Sequence, residues 1–208
     1  EINNKPIIHR IIDHYVSYGH KEFYIAIGYK GEILKKYFSK KKFQKDIRIN
    51  LINTGIKTMT GGRLKRLKKF LSETFLMTYG DGLSNVNLSK LIRFHKKNKK
   101  LLTLTTVRPP ARFGAIKLNG NLVKYFKEKN TLVEGWINGG FFVLNMGIFK
   151  YINEGDNSIW EQNPLQELAK ANELCGYQHK GFWQAMDTLR DKENLEKICA
   201  RGNKVPWF

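Results

Sequence analysis

The stretch TFLMTYGDG, residues 74–82, joins an apolar run to a carboxylate that stands between two glycines. The run from Phe75 to Met77 is typical of a short buried strand, and Gly80 and Gly82 are typical of the turn that ends one. At such a strand end Asp81 can bind a metal ion, while the glycines leave the backbone open to a phosphate. The same residues can also form a simple tight turn, so the decision between these interpretations rests on the rest of the chain.

Strand-like and helix-like segments alternate on both sides of this stretch. We predict a helix on the stripe from Ile7 to Val16 that stops at Gly19, and a later helix, LSKLIRFHKKN, behind the cap Asn87. The other predicted segments are the strands EFYIAIG, RINLINT, TFLMTY and LLTLTTV and the helices GEILKKYF and GRLKRLKKFL. This alternation indicates an α/β fold with a parallel sheet that is covered on both faces.

The pattern changes after Pro109-Pro110. The turn Asn119-Gly120 between FGAIKL and LVKYFKEK predicts a hairpin, and a strand WINGGFFVLN follows it. The helix NPLQELAKAN, the extended segment ELCGYQHKG and a last helix from Thr188 complete the chain. We therefore predict one domain, with a nucleotide-binding half up to about residue 108 and a mixed half over residues 109–208.

Composition limits the class of protein. With 208 residues, 41% of them hydrophobic, the chain can build one sizeable core. No run approaches the roughly 18 to 20 apolar residues of a membrane span, and no signal peptide is evident. Cys175 and Cys199 have no metal-binding or redox spacing, which favours a reducing cytoplasm, with Cys175 in a strand and Cys199 in a helix as ordinary small apolar residues. We expect a cytoplasmic protein with no membrane partner.

The charge points to anionic partners. The chain has 37 Lys and Arg against 18 Asp and Glu, a net charge of +19, which suits nucleic acid or phosphorylated small molecules. The lysines are spread along predicted helices, and no helix-turn-helix or RNA-stacking motif is present. We interpret most of them as solvated helix faces and expect no nucleic-acid partner.

A second carboxylate stands in the segment FWQAMDTLRD, where Asp187 ends an apolar run before the last helix. One aspartate binds a divalent cation only weakly, so Asp187 is the candidate second ligand beside Asp81. The alternative is that Asp187 is the N-cap of the helix, a role for which Thr188 competes.

Two further segments carry weaker signals. In TMTGGRLKR, residues 58–66, a glycine pair leads into a helix that starts with Arg63, an arrangement that favours an anion or a base edge. It is not a Walker loop, because the G-K-S/T ending is absent. In YFKEK, Lys129 can neutralise a phosphate and Glu128 can accept sugar hydroxyls, although both can also form a solvated strand end.

Together these motifs resemble the sugar-nucleotide pyrophosphorylases, a family of nucleotidyltransferases. The resemblance covers nearly the whole chain in the family's order, and MTGGRLKR with GFWQAMDTLRD is specific to the branch that uses CTP and glucose 1-phosphate. The other segments that carry it are EINNKPI, GYKG, TYGDG, RFGAI, the pair EK at 128–129, INGGFFVLN and WEQNPL. The resemblance implies a doubly wound, mostly parallel, Rossmann-like sheet with a mixed second half.

The resemblance also implies a reaction and its residues. Glucose 1-phosphate would attack the α-phosphorus of CTP and give CDP-glucose and pyrophosphate, with Mg²⁺ held by Asp81 and Asp187. The family often forms homo-oligomers. The implied catalytic residues are Asp81, Asp187 and Lys129. The implied nucleotide-binding residues are Thr58, Gly61, Gly62, Arg63 and Gly80. The implied sugar-binding residues are Gly114, Glu128, Lys129, Asn138, Gly139 and Glu161.

The chain departs from the family at its start. The family opens with a strand, a glycine-rich loop and a P-K-P segment before the stretch that matches EINNKPI, and none of these precedes Glu1. We expect the intact protein to contain them, since a doubly wound core does not easily lose a central strand. Three hypotheses stay open: an active cytidylyltransferase, a relative that uses UTP or dTTP, and a non-catalytic sugar-nucleotide-binding module.

Overall fold

The computed structural model describes residues 1–41, 43–109, 115–127, 135–200 and 205–207. The helices are Ile7–Ser17 (α1), Gly31–Lys40 (α2), Thr60–Leu67 (α3), Leu88–Asn98 (α4), Asn163–Lys170 (α5) and Leu189–Ala200 (α6). The strands are Glu22–Ile27 (β1), Arg48–Asn53 (β2), Thr74–Thr78 (β3), Gly82–Ser84 (β4), Leu102–Val107 (β5), Ala115–Asn119 (β6), Leu122–Lys127 (β7), Ile137–Asn145 (β8), Leu174–Gln178 (β9) and Trp183–Ala185 (β10). Short 3₁₀ segments lie at Lys68–Phe70, Met146–Tyr151 and Gly155–Asn157.

The largest sheet has the strand order β3-β8-β5-β9. Strand β8 is antiparallel to both of its neighbours, and Phe142 lies opposite Met77 on β3 and Leu104 on β5. Strand β9 extends the sheet in parallel with β5. The run Phe141–Leu144 is buried on both sides of the strand, as expected of an interior strand.

Alternating residues of β8 divide the core into two clusters. Phe141 and Val143 pack in one cluster, with α1, α4 and Trp207, while Phe142 and Leu144 pack in the other, with Trp160 and α5. Because successive side chains of a strand point to opposite faces, the sheet is covered on both sides. This confirms the layered arrangement predicted from the sequence.

The remaining strands form three smaller ladders. Strands β1 and β2 pair in parallel, β4 pairs with β10 in antiparallel, and β6 and β7 form a hairpin. The hairpin is present as predicted, but it turns at Gly120-Asn121, one residue after the predicted Asn119-Gly120, because Asn119 pairs with Leu122; Gly120 has a φ of 56°. Of these strands, only β4 and β10 were not predicted.

Helix boundaries follow local chemistry. The Asn87 side chain accepts a hydrogen bond of 2.8 Å from the Lys90 N–H, which confirms it as the cap of α4. Helix α1 ends at Ser17, and Gly19, with a φ of 86°, donates its N–H to the Val16 carbonyl oxygen. No helix within the described ranges is both long and apolar enough to cross a membrane.

The α/β class predicted from the sequence is confirmed. The two predicted halves share the largest sheet, because β8 of the second half lies between β3 and β5 of the first. Cys175 lies in β9 and Cys199 in α6, and both thiols are free.

Candidate active site

The pairing of β4 with β10 brings Asp81 and Asp187 together. Gly82 lies opposite Ala185 in this ladder, and the Met186 N–H donates to the Asp81 carbonyl oxygen at 2.9 Å. Asp187 is the next residue after Met186, and both aspartates line the same cavity. The structure therefore places the two predicted metal ligands side by side.

Helix α6 is capped without Asp187. The Asp191 N–H donates to the Thr188 hydroxyl at 3.2 Å, and the Thr188 N–H donates to the Asp191 carboxylate at 3.0 Å. This reciprocal pair is a capping box with aspartate in place of the usual glutamate. The N-cap of α6 is therefore Thr188, and Asp187 is not the capping residue.

The electrostatics of the cavity disfavour two ionised carboxylates. Asp81 is accessible to solvent, but the protein atoms around it and then the negative charge of Asp187 raise the pKa of its carboxyl group above the usual 3.8. A divalent cation between the two groups would offset this repulsion. The pair is therefore suited chemically to a hard cation such as Mg²⁺.

The number of carboxylates fits such a cation. Over the described residues there is no cluster of three or more His, Cys, Asp or Glu side chains that could hold a metal. Mg²⁺ is commonly bound by one or two carboxylates together with water and substrate phosphates. Asp81 and Asp187 would thus hold a cation that a phosphorylated ligand completes.

The cavity has a volume of about 260 Å³. This is close to the lower end of the roughly 300–1,000 Å³ of small-molecule sites, so it suits one part of a larger ligand. Its wall combines charge, amide and aromatic groups, contributed by Tyr79, Asp81, Asn138, Gly139, Trp183 and Asp187.

The glycine pair of β8 allows close packing at this wall. A Cβ on Gly139 would lie 2.8 Å from Val107 Cγ1, and one on Gly140 would lie 2.7 Å from Tyr79 Cδ2. Gly140 also has a φ of 75°, which favours glycine. Beside them the pairing of β8 with β5 shifts register, as at a β-bulge. These contacts explain the pair Gly139-Gly140 by packing. Asn138 and Gly139 line the cavity, and their role in sugar binding stays a prediction.

The glycine pair before α3 is packed against the chain itself. The Gly61 and Gly62 N–H groups donate to the Ser158 carbonyl oxygen at 2.8 and 3.2 Å. A Cβ on Gly61 would lie 2.8 Å from that oxygen. The Ser158 carbonyl oxygen thus binds the N–H groups at the start of α3 that were predicted to face a nucleotide. The nucleotide-binding role of Gly61 and Gly62 stays a prediction.

Arg63 ties together the loops that follow β1 and β2. Its Nη1 donates to the Thr54 hydroxyl at 2.6 Å and to the Ile27 carbonyl oxygen at 3.3 Å, and Nη2 donates to the Ile56 carbonyl oxygen at 3.4 Å. Thr58 is buried in the same loop, with a relative exposure of 7%. Arg63 therefore braces the loop that the resemblance assigns to the nucleotide.

Glu161 does not itself line the cavity, although its carboxylate interacts with Tyr79 of the wall. Its Oε2 accepts a hydrogen bond of 2.7 Å from the Thr60 hydroxyl, which in turn accepts from the Trp160 N–H at 2.9 Å. Gly80, by contrast, is exposed next to Asp81, and a Cβ there would meet nothing within 4 Å. The predicted residues Gly114, Glu128 and Lys129 lie outside the described residues.

Two aromatic residues of the wall, Tyr79 and Trp183, were not predicted from the sequence. Trp183 donates its indole N–H to the Gly139 carbonyl oxygen at 2.8 Å, and Tyr79 accepts a hydrogen bond of 3.3 Å from the Asn138 amide. Both stand within motifs that were singled out, TYGDG and FWQAMDTLRD, but an aromatic residue beside an aspartate carries no signal of its own.

Comparison with known proteins gives consistent matches over the whole chain. The family model described as nucleotidyl transferase matches residues 1–188. The chain is 41% identical over 229 residues to glucose-1-phosphate cytidylyltransferase of Salmonella typhimurium. The alignment covers 100% of this chain and 88% of that protein. The chain is also 37% identical over 224 residues to a "probable glucose-1-phosphate cytidylyltransferase" of Bacillus subtilis, covering 98% of this chain and 88% of that one.

A solved structure shows the same fold at low sequence identity. HddC from Yersinia pseudotuberculosis, complexed with GMP-PN, superimposes with a TM-score of 0.73 at 18% identity, over 95% of this chain and 87% of HddC. At this identity the match supports the architecture alone. The fold expected from the sequence is confirmed.

Proposed function

The chain belongs to the nucleotidyl transferase family, and from this premise we propose that it transfers the cytidylyl group of CTP to glucose 1-phosphate. The observation that carries the proposal is the match to the Salmonella typhimurium enzyme at 41% identity over the whole chain. The cavity supports the proposal. The Asp81 and Asp187 carboxylates line it together with glycines, whose backbone a phosphorylated ligand can approach closely.

In the proposed reaction a phosphate oxygen of glucose 1-phosphate forms a bond to the α-phosphorus of CTP. The bond from that phosphorus to the bridging oxygen of the β-phosphate breaks, and its electron pair leaves on pyrophosphate. The products are CDP-glucose and pyrophosphate. Because the attacking phosphate is already ionised, the protein needs to position and neutralise charges more than to remove a proton.

Asp81 and Asp187 are the residues that would hold Mg²⁺. When bound there, the cation would neutralise the negative charge on phosphate oxygens. The exposed Gly80 beside Asp81 leaves this part of the cavity open to phosphate groups. The raised pKa of Asp81 fits a site that is completed by a cation.

The sugar would lie against β8. Asn138 and the Gly139 backbone line the cavity next to the aspartates, and the indole of Trp183 holds the Gly139 carbonyl group in place. By the resemblance, Lys129 neutralises the sugar phosphate and Glu128 accepts sugar hydroxyls. The nucleotide would lie toward the loop that Arg63 braces, beside Thr58.

The direct test is product analysis. The intact protein is incubated with CTP, glucose 1-phosphate and Mg²⁺, and ³¹P NMR follows the reaction. We expect CDP-glucose and pyrophosphate in equal amounts, and their loss when either substrate or the cation is withheld. Absence of both products under these conditions would leave a non-catalytic sugar-nucleotide-binding module, the third hypothesis, as the better account.

A further inference from the structure

Tyr79 is part of the cavity wall, and the proposed reaction does not use its hydroxyl group. It accepts a hydrogen bond of 3.3 Å from the Asn138 amide nitrogen. Its ring lines the cavity, packs against Gly140 and meets Phe142 edge-on at 5.4 Å between ring centroids. The ring contacts thus fix the position of Tyr79, and its hydroxyl group forms a hydrogen bond that can orient the Asn138 amide.

The orientation of the Asn138 amide follows from its partners. Its oxygen accepts a hydrogen bond of 2.9 Å from the Gly140 N–H. Since a backbone N–H can only donate, the amide oxygen must face Gly140 and the amide nitrogen must face Tyr79. One of the two hydrogens on that nitrogen binds the tyrosine, and the other is available to a ligand in the cavity that Asn138 lines.

The tyrosine proton has its own acceptor. Because the Tyr79 oxygen accepts from Asn138, its proton points elsewhere, and the Glu161 carboxylate is the group that faces it. Glu161 is held in turn by the Thr60 hydroxyl at 2.7 Å, at the start of α3.

From this geometry we propose that Tyr79 is a positioning residue for the sugar, which fixes the Asn138 amide as a hydrogen-bond donor toward glucose 1-phosphate. The inference rests on the proposed function, because it assigns the sugar to the wall that Asn138 lines. It also gives Glu161 a role different from the predicted sugar contact: the carboxylate anchors Tyr79 from behind the wall. A tyrosine that acted only by filling space would need no hydroxyl group.

The variant Tyr79→Phe separates these two roles. It keeps the ring contacts with Gly140 and Phe142 and removes only the oxygen that receives the Asn138 hydrogen. Tyr151→Phe is the matched control, because this half-buried tyrosine lies in the 3₁₀ segment after β8 and outside the cavity wall. Steady-state kinetics with each substrate varied in turn gives the readout.

We expect Tyr79→Phe to raise the KM for glucose 1-phosphate about tenfold, the scale of one lost hydrogen bond, and to leave the KM for CTP within about twofold. Tyr151→Phe should match the wild-type protein in both constants. An unchanged KM for glucose 1-phosphate, or an equal rise for both substrates, would overturn the inference.

A double-variant cycle tests whether Tyr79 acts through Asn138. If it does, Tyr79→Phe combined with Asn138→Ala should be no worse than Asn138→Ala alone, within about twofold in kcat/KM for glucose 1-phosphate. If the two substitutions lower kcat/KM independently, so that their fold-changes multiply in the double variant, Tyr79 does not act through Asn138. The wild-type protein is assayed first: no CDP-glucose there refutes the proposed function, whereas an active wild type with additive variants refutes only the role of Tyr79.

Discussion

Asp81 and Asp187 line the same cavity just beyond one end of a three-residue antiparallel ladder, although more than a hundred residues separate them in the chain. The hydrogen bond from the Met186 N–H to the Asp81 carbonyl oxygen holds the two segments beside each other. Two carboxylates that share one cavity repel each other, and a shared divalent cation would make their proximity favourable.

The first prediction concerns turnover. Asp81→Asn should lower kcat by about 10² or more, because the loss of a metal ligand removes several kcal/mol of transition-state stabilisation. Asp46→Asn is the matched control, since Asp46 is exposed and pairs with Lys21 at 2.7 Å on the surface. Near-normal turnover of Asp81→Asn in saturating Mg²⁺ would exclude the assigned role.

The second prediction concerns stability without metal. A carboxyl group whose pKa is raised by folding destabilises the folded state when ionised, and this penalty disappears as the pH falls through the raised pKa. In EDTA at pH 7, Asp81→Asn should therefore have a higher Tm than the wild-type protein. The difference should shrink as the pH is lowered toward 4.

Mg²⁺ should reverse this order. It should raise the Tm of the wild-type protein more than that of Asp81→Asn, because binding to the folded state stabilises it. Thermal unfolding at several pH values, with EDTA or with Mg²⁺, makes the measurement independent of activity. A variant that is less stable than the wild type in EDTA at pH 7 would contradict the assignment of repulsion between Asp81 and Asp187.

The third prediction contrasts two glycines. Gly61→Ala should lower the free energy of unfolding by about 1–3 kcal/mol, because its Cβ would lie 2.8 Å from the Ser158 carbonyl oxygen. Gly80→Ala should change it by less than about 0.5 kcal/mol, because nothing lies within 4 Å of the added Cβ. Urea denaturation of both variants supplies the comparison.

Activity adds a second readout for this pair. If a phosphate approaches the backbone at Gly80, Gly80→Ala should reduce kcat/KM for CTP while the fold stays intact. Full activity of Gly80→Ala would remove that residue from the nucleotide site. A Gly61→Ala variant with wild-type stability would contradict the packing of α3 against Ser158.

The repeated alternation of apolar strands and amphipathic helices made most of the fold predictable. Helix α1, the Asn87 cap and the β6–β7 hairpin follow from local spacing and turn chemistry, although the turn was predicted one residue too early. Strands β4 and β10 could not be predicted, because three residues are too few to show an alternating pattern. Their pairing depends on contacts between distant parts of the chain.

The candidate site shows the same division. Asp81 and Asp187 were identified because each ends an apolar run, and the structure brings them together. The partners of Gly61, Arg63 and Glu161 were not predictable, since they are carbonyl and hydroxyl groups distant in sequence. Residue types alone do not reveal whether a donor faces a ligand or the protein.

The most direct test of the proposed function is the choice of nucleotide. Cytosine has an amino donor at C4 and an acceptor at N3, whereas uracil and thymine have the opposite pattern, so a pocket built for CTP leaves buried groups unpaired with UTP or dTTP. One such mismatch costs roughly 1–3 kcal/mol. The measurement is kcat/KM for CTP, UTP and dTTP with glucose 1-phosphate in the intact wild-type protein. We predict a preference for CTP of at least about tenfold; equal values for the three nucleotides would refute cytidylyl transfer and leave only the nucleotidyl transferase family.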